Sequence, residues 1–371
     1  MKLFILLGIP LVIGLIGFFA TKISGSKKIT WKELGLHSIT MIVIIGVGYF
    51  IAYKSRITDT EIWNGRIAGK TTNTTGCCHS YNCFCHQSCS GSGASQSCIE
   101  VCSTCYVHSN DVEWTATTTN GEVVFRDGCN SPHSSPPARW SQIKIGEPTA
   151  VEHSYTNYIL GNPDAVLKQK GALAKFKGKI PDYPRVYDYY RVKRFISIGV
   201  SVPDIAGLNE QLDEINALLG KSKQVNIIVI VVNETNASYL DALTEAWVGG
   251  KKNDFVVVIA APAFPKIAWA GVMSWAKDEA LKQALAGYMK ELGDFNGKEI
   301  LQAISTSVDK KFVRRHMADF EYLTSTIEPS NAAFWILFMI AVLLSIVLQT
   351  VFYIHDPFGD DETRRPRQNY Y

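Results

Sequence analysis

A chain of 371 residues is long enough for two modest domains with membrane segments added. Charged residues make up 19% and the mean hydropathy is +0.04, a balance that is rare in a wholly soluble α/β enzyme and common where transmembrane helices are joined to a soluble part. The net charge of +3 is too small to mark a nucleic-acid partner, and none is expected.

Residues 3–20 carry no charge, residues 34–53 none beyond His37, and residues 332–354 none. Each run can cross the roughly 30 Å of a bilayer core as a helix, and the third has Trp335 and Tyr353 at its ends, residues that settle at headgroup level. The sequence therefore predicts a transmembrane hairpin within residues 1–53, a third transmembrane helix at 332–354 and a tail from 355 to 371. Such a chain is a multi-pass membrane protein in contact with the lipid bilayer. Lys22, Lys27, Lys28 and Lys32 lie in the first loop and Arg364, Arg365 and Arg367 in the tail. Loops rich in lysine and arginine stay cytoplasmic, which puts residues 54–331 on the extracytoplasmic, periplasmic side. A cleaved leader is the competing reading of Met1-Lys2 and the run that follows. Its cleavage site would place Phe18 where a small residue is wanted, and cleavage would turn the large part of the chain to the cytoplasm. Lys54 and Arg56 argue for that inversion.

Residues 54–130 form a Cys/His-rich β module. A strand near 62–67 precedes the cysteines, and strands at 112–119 and 122–126 flank Asn120-Gly121, a pair suited to a type I′ hairpin turn. All nine cysteines fall in this module: Cys77, Cys78, Cys83, Cys85, Cys89, Cys98, Cys102, Cys105 and Cys129. With His79, His86 and His108 they offer enough ligands for two zinc ions. Cys102-x2-Cys105-x2-His108 is one short-spaced cluster and Cys83-x-Cys85-His86-x2-Cys89 another, with a flexible connector at 91–95 between them. On the oxidising side of a membrane the same cysteines form disulfides instead, and nine being odd, one would be left over. Either staple is structural, because so small a block with few large apolar residues cannot build its own core.

A Ser/Pro/His linker at 131–137 leads into a connector, up to residue 193, in which tyrosines alternate with lysines and arginines. It reads as a solvated segment, or as one that meets anionic headgroups. From 194 to 325 the pattern is strand, helix, strand, helix, strand, strand, helix, helix. The runs at 225–232 and 255–260 do not alternate, so helices cover their sheet on both faces: the fold class is α/β. Leu208, Leu212, Ile215, Leu218 and Leu219 define a helix that Gly220 is placed to end. A last helix is predicted from 298 to about 320.

The candidate site in this domain is the turn of Gly249-Gly250-Lys251-Lys252-Asn253-Asp254. Asp241, Glu245, Asn253 and Asp254 supply oxygen atoms suited to a divalent cation; a polar helix face followed by a turn is the alternative. No Walker A pattern and no Ser-His-Asp or Cys-His arrangement is visible, so no residue is assigned a catalytic role.

Residues 208–322, with a helix ending in Glu245-Ala246-Trp247, a Gly/Lys turn and the strand at 255–260, resemble the TPM-domain family. The resemblance implies a membrane-anchored extracytoplasmic α/β domain, of the kind linked to photosystem repair, to respiratory-complex assembly or to weak, metal-dependent acid phosphatase activity. Asn253-Asp254-Phe255 stands where the family usually has Asp-Asn-Gly, and Ala270-Gly271-Val272 where it has Gly-x-Gly. Residues 63–142 are similar to uncharacterised membrane proteins of bacteriophages and bacteria. Together these imply a binding or assembly factor with a protein partner in the envelope, or alternatively a weak phosphatase.

Overall fold

A computed structural model describes residues 2–24, 29–91, 96–121, 123–127, 136, 138–162, 171–188, 190–355 and 357–358. Lys27, Lys28, most of the connector at 91–95, Cys129, most of the linker at 131–137 and most of the tail at 355–371, with Arg364, Arg365 and Arg367, lie outside the described residues. The chain divides into two compact units, one of Met1–Asp59, Thr156–Ala165 and Met317–Tyr371, the other of Thr60–Tyr155 and Val166–His316.

The first unit holds three helices long and apolar enough to cross a membrane: α1 (Lys2–Ile23), α2 (Trp31–Ile57) and α9 (Asn331–His355). α2 starts three residues before the predicted run because the Glu33 side chain accepts a hydrogen bond from the Thr30 backbone N–H at 2.5 Å and so caps the first turn. Close approach of the helices depends on small residues, as is usual where no hydrophobic drive separates helix from lipid. A Cβ on Gly14 would lie 2.6 Å from His37 Nδ1, and one on Gly48 would lie 2.5 Å from Leu337. His37 Nε2 is 2.9 Å from Ser345 Oγ, which donates to the Pro10 carbonyl at 3.2 Å. The unit also contains the short helix α4 (Tyr158–Gly161) and a 3-10 segment at Met317–Thr326.

The second unit contains both the β module and the α/β domain. The module's sheet has the order β5-β4-β1-β6, built from β1 (Thr58–Gly76), β4 (Asn110–Thr118), β5 (Val123–Asp127) and β6 (Pro148–Thr156). The short helix α3 (Ala138–Gln142) precedes β6. Between β1 and β4 the chain leaves this sheet as a separate antiparallel hairpin, β2 (Ser80–Ser90) and β3 (Ser97–Tyr106). The β4–β5 connection is not the expected two-residue turn. Gly121 has φ +83, its N–H bonds to the Thr118 carbonyl at 3.0 Å, and the register shifts at Ala116/Thr117. That is a longer loop with a bulge, which also reverses the chain with its positive φ at glycine.

β6 lies inside the stretch expected to be a solvated connector, and Tyr155 and Tyr190 are buried there. β6 itself holds one tyrosine, and Glu152, His153 and Ser154 interrupt the apolar pattern that would have marked it as a strand.

The α/β domain has a sheet of order β10-β9-β8-β7, from β7 (Phe195–Ile198), β8 (Asn226–Val232), β9 (Asp254–Ala260) and β10 (Trp269–Ser274). β7, β8 and β9 are parallel and β10 is antiparallel to β9. One face, with Ile227, Val229, Val231, Phe255, Val257 and Ile259, packs on α5 (Ile205–Lys223), α7 (Glu279–Leu292) and α8 (Gly297–Lys311). The other, with Ile228, Ile230, Val256 and Val258, packs on α6 (Tyr239–Ala246) and Phe176. Every residue of β8 and β9 is buried, as their unbroken apolar runs require.

Two helix ends differ from expectation. α5 runs past Gly220 to Lys223 and is capped by Gln224 in the left-handed region. α8 stops at Lys311, because Phe312 turns into the core, 1% exposed, and meets Phe255 edge-on at 6.0 Å.

Candidate functional site

The cysteine block divides in two. Across the β2–β3 hairpin, Cys83 pairs with Cys105, Cys85 with Cys102 and Cys89 with Cys98 in disulfides, with Cα separations of 5.8, 3.9 and 4.0 Å. Cys78 is disulfide-bonded as well. The register sets these pairs: Cys89 faces Cys98 directly, and a shift between Cys83 and His86 brings the other two into range. The zinc clusters expected from the spacing do not form, since Cys83, Cys85, Cys89, Cys98, Cys102 and Cys105 all spend their sulfur on one another. His86 stands exposed on this hairpin.

Cys77 remains a thiol and is buried. With His79, His108 and Asp111 it forms a quartet whose donor atoms all lie within 4.8 Å of one another. Asp111 is the centre: Oδ1 is 2.5 Å from His108 Nε2 and Oδ2 is 3.4 Å from His79 Nδ1. The Cys78 backbone N–H, 2.9 Å from Oδ2, holds the Asp111 carboxyl below its usual range. Asp111 belongs to no Cys/His spacing pattern; its place three residues after His108 is the one local hint.

At the Gly249–Asp254 turn the four expected residues are engaged separately. Asp241 is exposed. Glu245 accepts the Leu173 backbone N–H at 2.8 Å, which with neighbouring amides lowers its pKa. Asn253 donates to the Ile62 carbonyl at 2.7 Å. Asp254 is buried and receives Asn226 Nδ2 at 2.9 Å on Oδ1, the Lys251 N–H at 2.7 Å on Oδ2, and the Tyr183 hydroxyl at 2.9 and 3.0 Å from the two oxygens. Burial pushes its pKa up to about 6 and raises that of Tyr183 well above its ordinary value. Both oxygens of this carboxylate are thus engaged by protein donors.

The same hydrogen bonds continue into Arg194, whose Nε donates to Asn226 Oδ1 at 3.0 Å, whose Nη1 meets Asp213 at 2.5 Å and whose Nη2 donates to Asn64 Oδ1. Asn64 Nδ2 in turn donates to the Val225 carbonyl at 2.8 Å. Asn226 and Asp254 face each other at the amino ends of β8 and β9, whereas open α/β sheets bind ligands at the carboxyl ends of their strands. The network thus ties the β module to the α/β domain. Tyr183, Arg194, Asn64 and Asn226 were invisible to motif reading because they are scattered over more than 150 residues and belong to no local pattern.

An open groove of about 880 Å³ lies between α7 and α8, with Leu281, Leu285 and Ala303 among its lining and Tyr288 and Lys310 also on its walls.

No protein-family model, curated protein or solved structure matches the chain.

Proposed function

We propose that the chain is an integral membrane protein whose large unit faces the extracytoplasmic side and serves as a binding or assembly factor in the envelope, with a TPM-like α/β domain. One observation carries this reading: an oxidised cysteine hairpin lies between the second and third apolar helices. Disulfides persist outside the cytoplasm and are rare within it. The lysines and arginines of the first loop and the tail favour the same orientation. The strand and helix order of residues 195–311 is in keeping with a TPM-like domain. The buried carboxylate of Asp254 favours binding over weak phosphatase chemistry, because both its oxygens already accept from protein donors.

A periplasm-active reporter fused after Ser330 should work and one fused after Tyr371 should not; the reverse pattern would put the large unit in the cytoplasm and end this reading. Gently solubilised full-length protein should migrate on native electrophoresis with a second protein at fixed stoichiometry. Recovery as a bare monomer that turns over a generic phosphomonoester with divalent metal, and loses that turnover in Asp254→Asn, would favour the phosphatase alternative.

A further inference from the structure

The quartet of Cys77, His79, His108 and Asp111 stands at the neck of the disulfide hairpin. Cys77 and His79 are on the strand of chain that enters it, His108 and Asp111 on the one that leaves. Backbone bonds from Cys77 N to Ser109 O, 3.3 Å, and from Val107 N to His79 O, 3.1 Å, hold the two segments side by side. The four donors are one sulfur, two imidazole nitrogens and one carboxylate oxygen. This mixture suits zinc and not calcium or magnesium, which take oxygen shells.

Zinc bonds of about 2.0–2.3 Å in a tetrahedron set neighbouring donors about 3.3–3.8 Å apart. Cys77 Sγ is 3.9 Å from His79 Nδ1, and His79 Nδ1 is 3.4 Å from Asp111 Oδ2. The His108–Asp111 contact, at 2.5 Å, is tighter than a shared ion would leave it, so the partly exposed imidazole must turn for the ion to enter.

A second observation is independent of these distances. Cys77 is a free thiol in a hairpin module where Cys78, Cys83, Cys85, Cys89, Cys98, Cys102 and Cys105 are all oxidised. A sulfur left out of the disulfides and set among two histidines and a buried carboxylate is a ligand in waiting.

We propose that Cys77, His79, His108 and Asp111 bind one zinc ion that closes the neck of the hairpin. The thiol gives its proton to solvent as the zinc–sulfur bond forms, and Asp111 exchanges its contact with His108 for the metal. Cys77 and Asp111 are buried while the two histidine side chains are about 30% exposed, so the ion enters from the imidazole side. With all four positions filled by protein, the site is structural.

The test uses the full chain in detergent without reductant, stripped by chelator and then titrated with zinc, and with cobalt(II) as a spectroscopic substitute. One equivalent of zinc should bind, and the cobalt form should show a thiolate charge-transfer band that Cys77→Ser abolishes. His108→Ala and Asp111→Asn should each weaken zinc by at least about tenfold, while His86→Ala, on the same hairpin, should not. Intact mass confirms in each variant that the disulfides are kept, which separates ligand loss from misfolding. Absence of stoichiometric zinc in the parent chain would overturn the proposal. So would zinc binding that survives both Cys77→Ser and His108→Ala, or that falls as much with His86→Ala.

Discussion

Gly220, within α5, lies against the backbone carbonyl of Asn64 in β1: a Cβ on Gly220 would stand 2.1 Å from that oxygen. The strand cannot retreat, since Asn64 is held by Val225, by Arg194 and by Asn120, whose Nδ2 donates to the same carbonyl at 3.0 Å. Glycine is there for contact between the β module and the α/β domain, not to end the helix. Gly220→Ala should therefore destabilise by about 3 kcal/mol through overpacking, against the roughly 1 kcal/mol that alanine gains as a helix former. The unfolding midpoint of the full chain in detergent, followed by tryptophan fluorescence, reads this. An unchanged or raised midpoint would mean that helix and strand do not touch.

Arg194 is 2% exposed and divides its guanidinium among Asn226, Asp213 and Asn64. Arg194→Ala removes the guanidinium from Asp213 and two amide oxygens and should cost about 3–5 kcal/mol. Arg194→Lys should recover little of it, because a single ammonium cannot reach three acceptors in one plane. Full recovery by lysine in the same unfolding measurement would refute the planar, three-way arrangement.

Asp254 makes a prediction about pH. Its pKa is about 6 in the fold, raised by burial, against about 3.9 in an unfolded chain. Between those values the folded state keeps a proton that the unfolded state has lost. The group's contribution to stability therefore falls as pH rises from about 4 to 6 and is level above that. Over this window Asp254→Asn should gain on the parent by about 2–3 kcal/mol. Parallel stability profiles for parent and variant from pH 4 to 7 would assign the titration to another group.

The disulfides lie in an exposed hairpin that, among the described residues, adds none to the core of the α/β sheet. Reduction should add at least about six mass units to the intact chain, two for each of the three bridges across the hairpin. It should leave the unfolding of the α/β domain nearly where it was. A large loss of sheet structure on reduction, followed by far-ultraviolet circular dichroism, would show that the hairpin supports the domain.

Local composition and periodicity alone determined the three apolar helices, the uncharged lengths of which match a bilayer, and the α/β sheet, because the runs at 227–232 and 256–259 leave no face for water. They could not choose between zinc and disulfides, since the spacing of a cysteine says nothing about which residue faces it across a strand; the register that sets Cys89 opposite Cys98 made the choice. The same holds for Asp111 beside His108 and His79, for Tyr183 on Asp254 and for Gly220 under Asn64. Hydrophobic patterning reports whether a face is covered. Which residue covers it depends on pairings between segments far apart in the chain, and only the packed tertiary structure decides those.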